Sequence, residues 1–269
     1  MGQIKKSVIN KSKIFVVFHN ELVAEYYDRE LLAEYLFINV SPSNRSEYPS
    51  GFNIINQYDF DKFKPIGKIY TESEVLYNVF KNPYLTADVD FVGFLQYDID
   101  STNISVPLLS EWETNYEHIN FQPYKFDVDY NQKILMDKTQ PNKRKGSGVN
   151  CYNVILEDYN EFYGTKFTLD DLRGKTINLC SSFFLKKSLF VEMMDFVTPL
   201  IENKKLEAFD PDRKYRIQGG LLERYYAVWL SLHNLNDLSF NLDHFFAESK
   251  IQDSIFNKLV RRIQRLFNK

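Results

Sequence analysis

Asp90-Phe-Val-Gly-Phe-Leu-Gln-Tyr97-Asp98-Ile-Asp100 is the stretch that decides how this chain reads. Residues 91–97 form an apolar and aromatic run, the pattern of a central strand buried on both faces. The run stops at two carboxylates spaced i and i+2, which point to the same side of an extended segment. Oxygen donors so arranged suit Mg²⁺ or Mn²⁺, ions that can hold a diphosphate and stabilise its charge as it leaves. Asp-x-Asp recurs at Asp59/Asp61, Asp88/Asp90, Asp127/Asp129 and Asp210/Asp212. The pair at 98 and 100 differs in directly following a buried-strand signal. A solvated strand-end turn is the competing reading of the same residues.

Toward the N-terminus, Lys13-Ile-Phe-Val-Val-Phe-His19 is a second buried-strand run. Glu21 to Tyr35 carries apolar residues at 22, 23, 26, 27, 31 and 32, a helical stripe, and Leu36 to Val40 returns to strand before the turn cluster Ser41-Pro-Ser-Asn44. Strand, helix, strand opens a βαβ unit, and such units build parallel sheets with ligand crevices at the carboxyl ends of the strands. Further on, a helix is expected over 72–81 and strands over 118–126 and 178–185. Helices are expected over 152–163, 187–202 and 221–233. The reading is an α/β fold, parallel in its first half and mixed in its second, with no internal repeat.

The 269 residues suffice for a large core, and the formal net charge of −3 provides no basic field for nucleic acid. Aromatic residues make up 16% of the chain, which suits carbohydrate stacking and equally an ordinary core. Cys151 and Cys180 form no zinc-type cluster and read as reduced thiols. No window has the roughly 20 apolar residues of a membrane-spanning helix, and the first residues do not resemble a signal peptide. The expected location is cytoplasmic. GxGxxG, GxxxxGK[ST], GxSxG and HExxH are all absent, so dehydrogenases, P-loop enzymes, α/β-hydrolases and zincins that carry those motifs lack support.

The segment 90–100 resembles the strand and DxD motif of GT-A-fold glycosyltransferases. More narrowly, the chain resembles a glycosyltransferase-like family of capsular and exopolysaccharide gene clusters and large DNA viruses. Three elements in matching order from about residue 13 to 246 carry that resemblance: Phe15-Val-Val-Phe-His19-Asn20, the Val-Gly-x-x-x-Tyr strand ending at Tyr97, and Gly219-Gly-Leu-Leu-Glu223-Arg224. Bacterial members of that family usually carry basic residues after the strand tyrosine. Asp98 and Asp100 stand there in this chain, which points to a metal-using subgroup.

The resemblance implies a GT-A-like, mostly parallel sheet flanked by helices. It implies one catalytic domain over about 1–250, with a nucleotide-binding half at about 13–135 and an acceptor half at about 150–250. Asp98 and Asp100, with His244 as a third ligand, would hold Mn²⁺ or Mg²⁺; a packed core histidine is the alternative for His244. His19, Asn20, Glu21, Asn44, Gln96 and Tyr97 would receive the nucleotide of a nucleotide-diphosphate sugar, or else be ordinary strand-end residues. Glu223, on an otherwise apolar helix, would be the base or acceptor anchor, or else an internal ion pair with Arg224 or Arg216.

Asn178, Ser181 and Ser182 offer hydrogen bonds for a glycan or lipid-linked acceptor. Lys143-Arg144-Lys145-Gly-Ser-Gly148 reads as a surface loop or as a lid over a diphosphate. The helical tail over 251–269 places apolar residues on one face, with Lys258, Arg261, Arg262, Arg265 and Lys269 elsewhere. Such a helix can attach to the inner face of an anionic membrane or pack on protein. A metal-dependent phosphatase or nuclease drawing on Asp88 or Asp127 is a second reading, and a non-catalytic carbohydrate- or membrane-binding protein a third.

Overall fold

The computed structural model describes residues 11–19, 22–41, 48–126, 151–178, 180–209 and 217–245. The expectations for Asn20, Glu21, Asn44, Asp127, the loop at 143–148, Arg216 and the 251–269 tail lie outside those residues.

Seven strands form the main sheet. In chain order they are β1 (Ser12–Phe18), β2 (Tyr35–Asn39), β3 (Ile54–Asn56), β4 (Phe91–Gln96), β6 (His118–Asn120), β9 (Phe183–Lys186) and β10 (Asp237–Ser239). Their spatial order is β10-β6-β9-β4-β1-β2-β3. β9 is antiparallel to both of its neighbours, while the other pairings are parallel. Two short antiparallel pairs stand beside this sheet: β5 (Ile99–Asp100) with β11 (Asp243–His244), and β7 (Pro123–Lys125) with β8 (Thr176–Asn178). The expected α/β architecture, mostly parallel and flanked by helices, is the one observed.

The two-residue period of a strand sorts the core into layers. Phe15 and Val17 of β1, with Val92 and Phe94 of β4, face one layer. Ile14, Val16 and Phe18, with Phe91 and Leu95, face the other. Helices α1 (Ser73–Lys81), α3 (Cys151–Tyr163), α4 (Lys187–Glu202) and α5 (Ile217–Leu232) fill the first layer. The second takes Leu109 and Trp112 from α2 (Val106–Asn115), and Leu22, Tyr27 and Leu31 from the β1–β2 crossover. No helix among the described residues is long and apolar enough to cross a membrane.

Three expected elements are corrected. The helix over 21–35 is replaced by two 3-10 turns, Ala24–Tyr26 and Arg29–Leu31, with Tyr27 and Asp28 extended between them. The Asp28 carboxylate accepts from the Glu30 amide at 2.8 Å. Tyr27 turns its ring onto Tyr35, Phe37 and Phe52 and donates its hydroxyl to the Tyr97 carbonyl. The apolar spacing is thus satisfied without helical continuity.

The strand over 118–126 divides into β6 and β7, because Asn120 Oδ1 takes the Gln122 amide and turns the chain. The strand over 178–185 divides into β8 and β9. There Asn178 accepts from the Cys180 amide and donates to the Ser182 carbonyl. Neither cysteine forms a disulfide among the described residues, and burial pushes the Cys151 thiol up to about 11, leaving it protonated and unreactive at neutral pH.

Gly219, part of the Gly-x-Leu-x-Glu-Arg motif, has a packing explanation. A Cβ there would stand 2.4 Å from Thr71 Oγ1 and 2.9 Å from its Cγ2. Thr71 is β-branched and already left-handed at φ 52°, so it has little freedom to yield. Gly219→Ala is therefore expected to cost about 1–3 kcal/mol, read as a lowered urea midpoint; an unchanged midpoint would contradict the close approach.

His118 is fully buried in β6, and desolvation lowers its pKa to about 3. An unfolded histidine, with a pKa of about 6.5, binds a proton that the folded one refuses. Stability from this group is complete above pH 6.5 and is lost as pH falls toward 3, with a slope of up to about 1.4 kcal/mol per unit. His118→Gln should flatten unfolding free energy against pH between 6.5 and 4, and superimposable profiles would refute the assignment.

Candidate functional site

The carboxyl ends of the parallel strands form the site. β1 and β4 lie side by side there, while the chain leads outward from them in opposite directions, from β1 to β2 on one side and from β4 to β6 on the other. This is the switch-point crevice where open α/β sheets take ligands. His19 stands exposed at the end of β1, its ring edge-on to Tyr97 at 5.0 Å. Gln96 is half-buried at the end of β4, and Tyr97 is buried beyond it. At the end of β2, the Asn39 amide donates to Tyr48 Oη and to Asn56 Oδ1 while its oxygen accepts from the Ser41 amide. That polar cluster lies beside the expected nucleotide residues.

Beyond β4 the chain turns at Tyr97 and Asp98 and enters β5. Asp98, in the turn, and Asp100, in β5, are both half-buried on either side of the fully buried Ile99. Asp100 Oδ1 is taken by the Thr102 amide at 2.9 Å and the Thr102 hydroxyl at 2.6 Å. Asp98 Oδ1 is buried and accepts no hydrogen bond among the described residues, yet it lies 3.2 Å from His244 Nε2.

His244 reaches that position because β11 pairs antiparallel with β5, aligning His244 with Ile99 and Asp243 with Asp100. The segment before β11 is tied to the end of β6. The Phe240 amide donates to the Asn120 carbonyl, the Leu242 amide to the Phe121 carbonyl, and Gln122 Nε2 to the Leu242 carbonyl at 2.7 Å. A strap over 240–245 thus crosses the ends of β6 and β4 and delivers an imidazole to Asp98.

A carboxylate oxygen and an imidazole nitrogen facing each other, with a second carboxylate two residues on, form a donor set suited to Mn²⁺ or Mg²⁺. Among the described residues, no three of His, Cys, Asp and Glu converge as a complete cation cage. The fit therefore rests on Asp98 and His244. The register also brings in Asp243, which pattern reading overlooked. Directly opposed like charges are unfavourable without a cation or water between them, but its Asp-His-Phe context gives no such signal in the sequence alone.

Glu223 occupies the first half of α5, where its carboxylate meets Arg224 Nη1 at 3.1 Å; the same nitrogen donates to the Gly220 carbonyl. The ion-pair alternative for Glu223 is thus observed with Arg224. Its side chain keeps 20% exposure while that of Arg224 keeps 4%, so the carboxylate retains contact with solvent. Asn178 does not present its amide to a ligand, being used in the turn between β8 and β9. Ser181 and Ser182 are buried. Asp88 is exposed ahead of β4, at the opposite end of that strand from Asp98 and roughly 20 Å away at strand rise.

No family model matches the chain, and no curated protein matches its sequence. Among solved structures, the apo form of the bifunctional glycosyltransferase WbbM superposes with a TM-score of 0.58 at 14% identity. That match covers 88% of this chain and 46% of WbbM, so the chain spans about half the length of that structure. The core-mannan synthase A of Aspergillus fumigatus, in its Mn/GDP form, aligns over 87% of this chain and 74% of its own at 9% identity, with a TM-score of 0.38. At such identities the WbbM likeness shows the fold and nothing finer: this chain has the fold of a solved glycosyltransferase.

Proposed function

We propose that the chain is a glycosyltransferase that moves a sugar from a nucleotide-diphosphate donor to a glycan or lipid-linked acceptor, in the synthesis of surface polysaccharide or a related glycan. The observation that carries this reading is the approach of His244 to the buried, non-hydrogen-bonded oxygen of Asp98 at the switch-point crevice. Asp98, Asp100 and His244 would hold Mn²⁺ or Mg²⁺. When bound, that cation supplies charge neutralisation to the departing diphosphate.

The chain's own residues do the rest. His19, Gln96 and Tyr97, with Asn20, Glu21 and Asn44, receive the nucleotide along the ends of β1, β2 and β4. Glu223, oriented by Arg224, anchors the acceptor or takes the proton from its attacking hydroxyl. About 1–250 forms the catalytic domain, and 254–269 gives peripheral contact with an anionic membrane. The phosphatase reading loses Asp88, which lies at the wrong end of β4 to join Asp98.

The test is thermal stabilisation by UDP, GDP, CMP and dTDP, each with Mn²⁺, Mg²⁺ or chelator. A ligand that binds only the folded state at 100 times its Kd adds about 2.7 kcal/mol. One nucleotide should raise the melting temperature in a metal-dependent manner. No rise with any combination would sink the proposal.

A further inference from the structure

We infer that Phe245, backed by Tyr26, is a stacking platform for a hexopyranose ring beside Asp98, a deepening that rests on the glycosyltransferase reading. The two rings lie 5.3 Å apart and 19° from parallel. Phe245 is nevertheless 39% exposed, so Tyr26 supports one side of the ring and part of the residue stays open to solvent.

The platform is fixed to the carboxylate turn from both sides. The Phe245 amide donates to the Asp98 carbonyl at 2.7 Å, which continues the β5–β11 register and sets Phe245 directly across from Asp98. On the other side the Tyr26 carbonyl accepts from the Ser101 amide at 2.8 Å and from the Ser101 hydroxyl at 2.9 Å. Tyr35 in turn donates its hydroxyl to Ser101 Oγ at 3.0 Å. Neither backbone segment can shift without disturbing the 98–101 turn, so both rings are attached at set positions relative to Asp98.

That position selects the ligand. In a nucleotide sugar, the sugar is bonded directly to the outer phosphate, whereas the base is separated from the inner phosphate by a ribose. Phe245 stands directly across from Asp98, its amide bonded to the Asp98 carbonyl. A diphosphate held at Asp98 and His244 therefore brings a sugar, rather than a base, within reach of the ring. The C–H face of a pyranose is apolar and matches an aromatic face, and its rim hydroxyls stay free for polar partners. The ring could belong to the donor or to the acceptor.

The experiment is calorimetry on the full chain with Mn²⁺, comparing wild type, Phe245→Ala and Phe245→Leu. Leu keeps apolar bulk without a flat face and serves if Ala fails to fold. One arm uses UDP and GDP against their glucose, galactose, mannose and N-acetylglucosamine conjugates. The other uses methyl hexopyranosides added with the diphosphate. The expected result is diphosphate affinity within about twofold of wild type, and about tenfold weaker binding of the conjugates (donor platform) or the glycosides (acceptor platform), with Phe245→Tyr restoring it.

Unchanged sugar binding in both arms overturns the inference, as does an equal loss for the bare diphosphate. If wild type binds no diphosphate with any metal, the donor reading of the site has failed. Glycoside binding that is lost in Phe245→Ala would then still uphold the platform, and glycoside binding that is absent or unaffected would remove it.

Discussion

Asp98→Ala combined with His244→Ala is expected to abolish metal-dependent nucleotide binding and to lower kcat/KM by about 10²–10³-fold, the scale of a lost electrostatic stabiliser of transition-state charge. The magnitude follows from where the two groups sit. Asp98 Oδ1 is buried and 3.2 Å from His244 Nε2, so both side chains have already left water. Each single variant should recover less than half of the loss, because residues that share one ligand are coupled rather than additive. Asp100→Asn should be milder than Asp98→Asn, since Thr102 already occupies one of the Asp100 oxygens. The measurement is the metal-dependent melting shift with the best nucleotide, beside steady-state kinetics. A double variant that keeps the full shift would show that the cation, if any, binds elsewhere.

Trp112→Ala is expected to have the largest effect on stability, about 3–5 kcal/mol, and a fall in Tm of roughly 2–4 °C for each of those kcal/mol. Trp112 is fully buried and packs on Phe121, Phe184 and Phe240, with ring centroids 5.0–6.1 Å away. Its indole Nε1 is buried with no acceptor among the described residues. Trp112→Phe should therefore cost much less than the alanine variant, because it removes ring volume but no hydrogen bond. Phe240 begins the strap that carries His244, so the alanine variant should also weaken metal-dependent nucleotide binding at temperatures where it remains folded. If Phe and Ala cost the same, the indole nitrogen has a partner that the packing does not reveal.

Much of the frame was legible from local pattern. Runs that are apolar on both faces marked β1, β2 and β4, and the three-to-four spacing marked α1, α3, α4 and α5 to within a few residues. The same logic failed over 21–35, where apolar spacing fitted a helix but Tyr27 packs from an extended backbone. It failed again at Asn120 and Asn178, whose side chains take neighbouring amides and end strands that composition alone would continue. Short polar side chains compete with the ladder, and nothing in a hydrophobic pattern records which partner they choose.

By itself, then, the sequence determined the buried strand that leads into Asp98 and the parallel α/β start of the chain. Those are consequences of the two-residue period, which acts between near neighbours. The tertiary structure decided that His244 meets Asp98, that Asp243 opposes Asp100, that Glu223 pairs with Arg224, and that Tyr26 stacks on Phe245. Except for Glu223 with Arg224, these contacts join distant parts of the chain through two-residue strands too short to leave a pattern of their own. Their register is set when the strap over 240–245 closes across β6, and that closure depends on packing and hydrogen bonds throughout the domain.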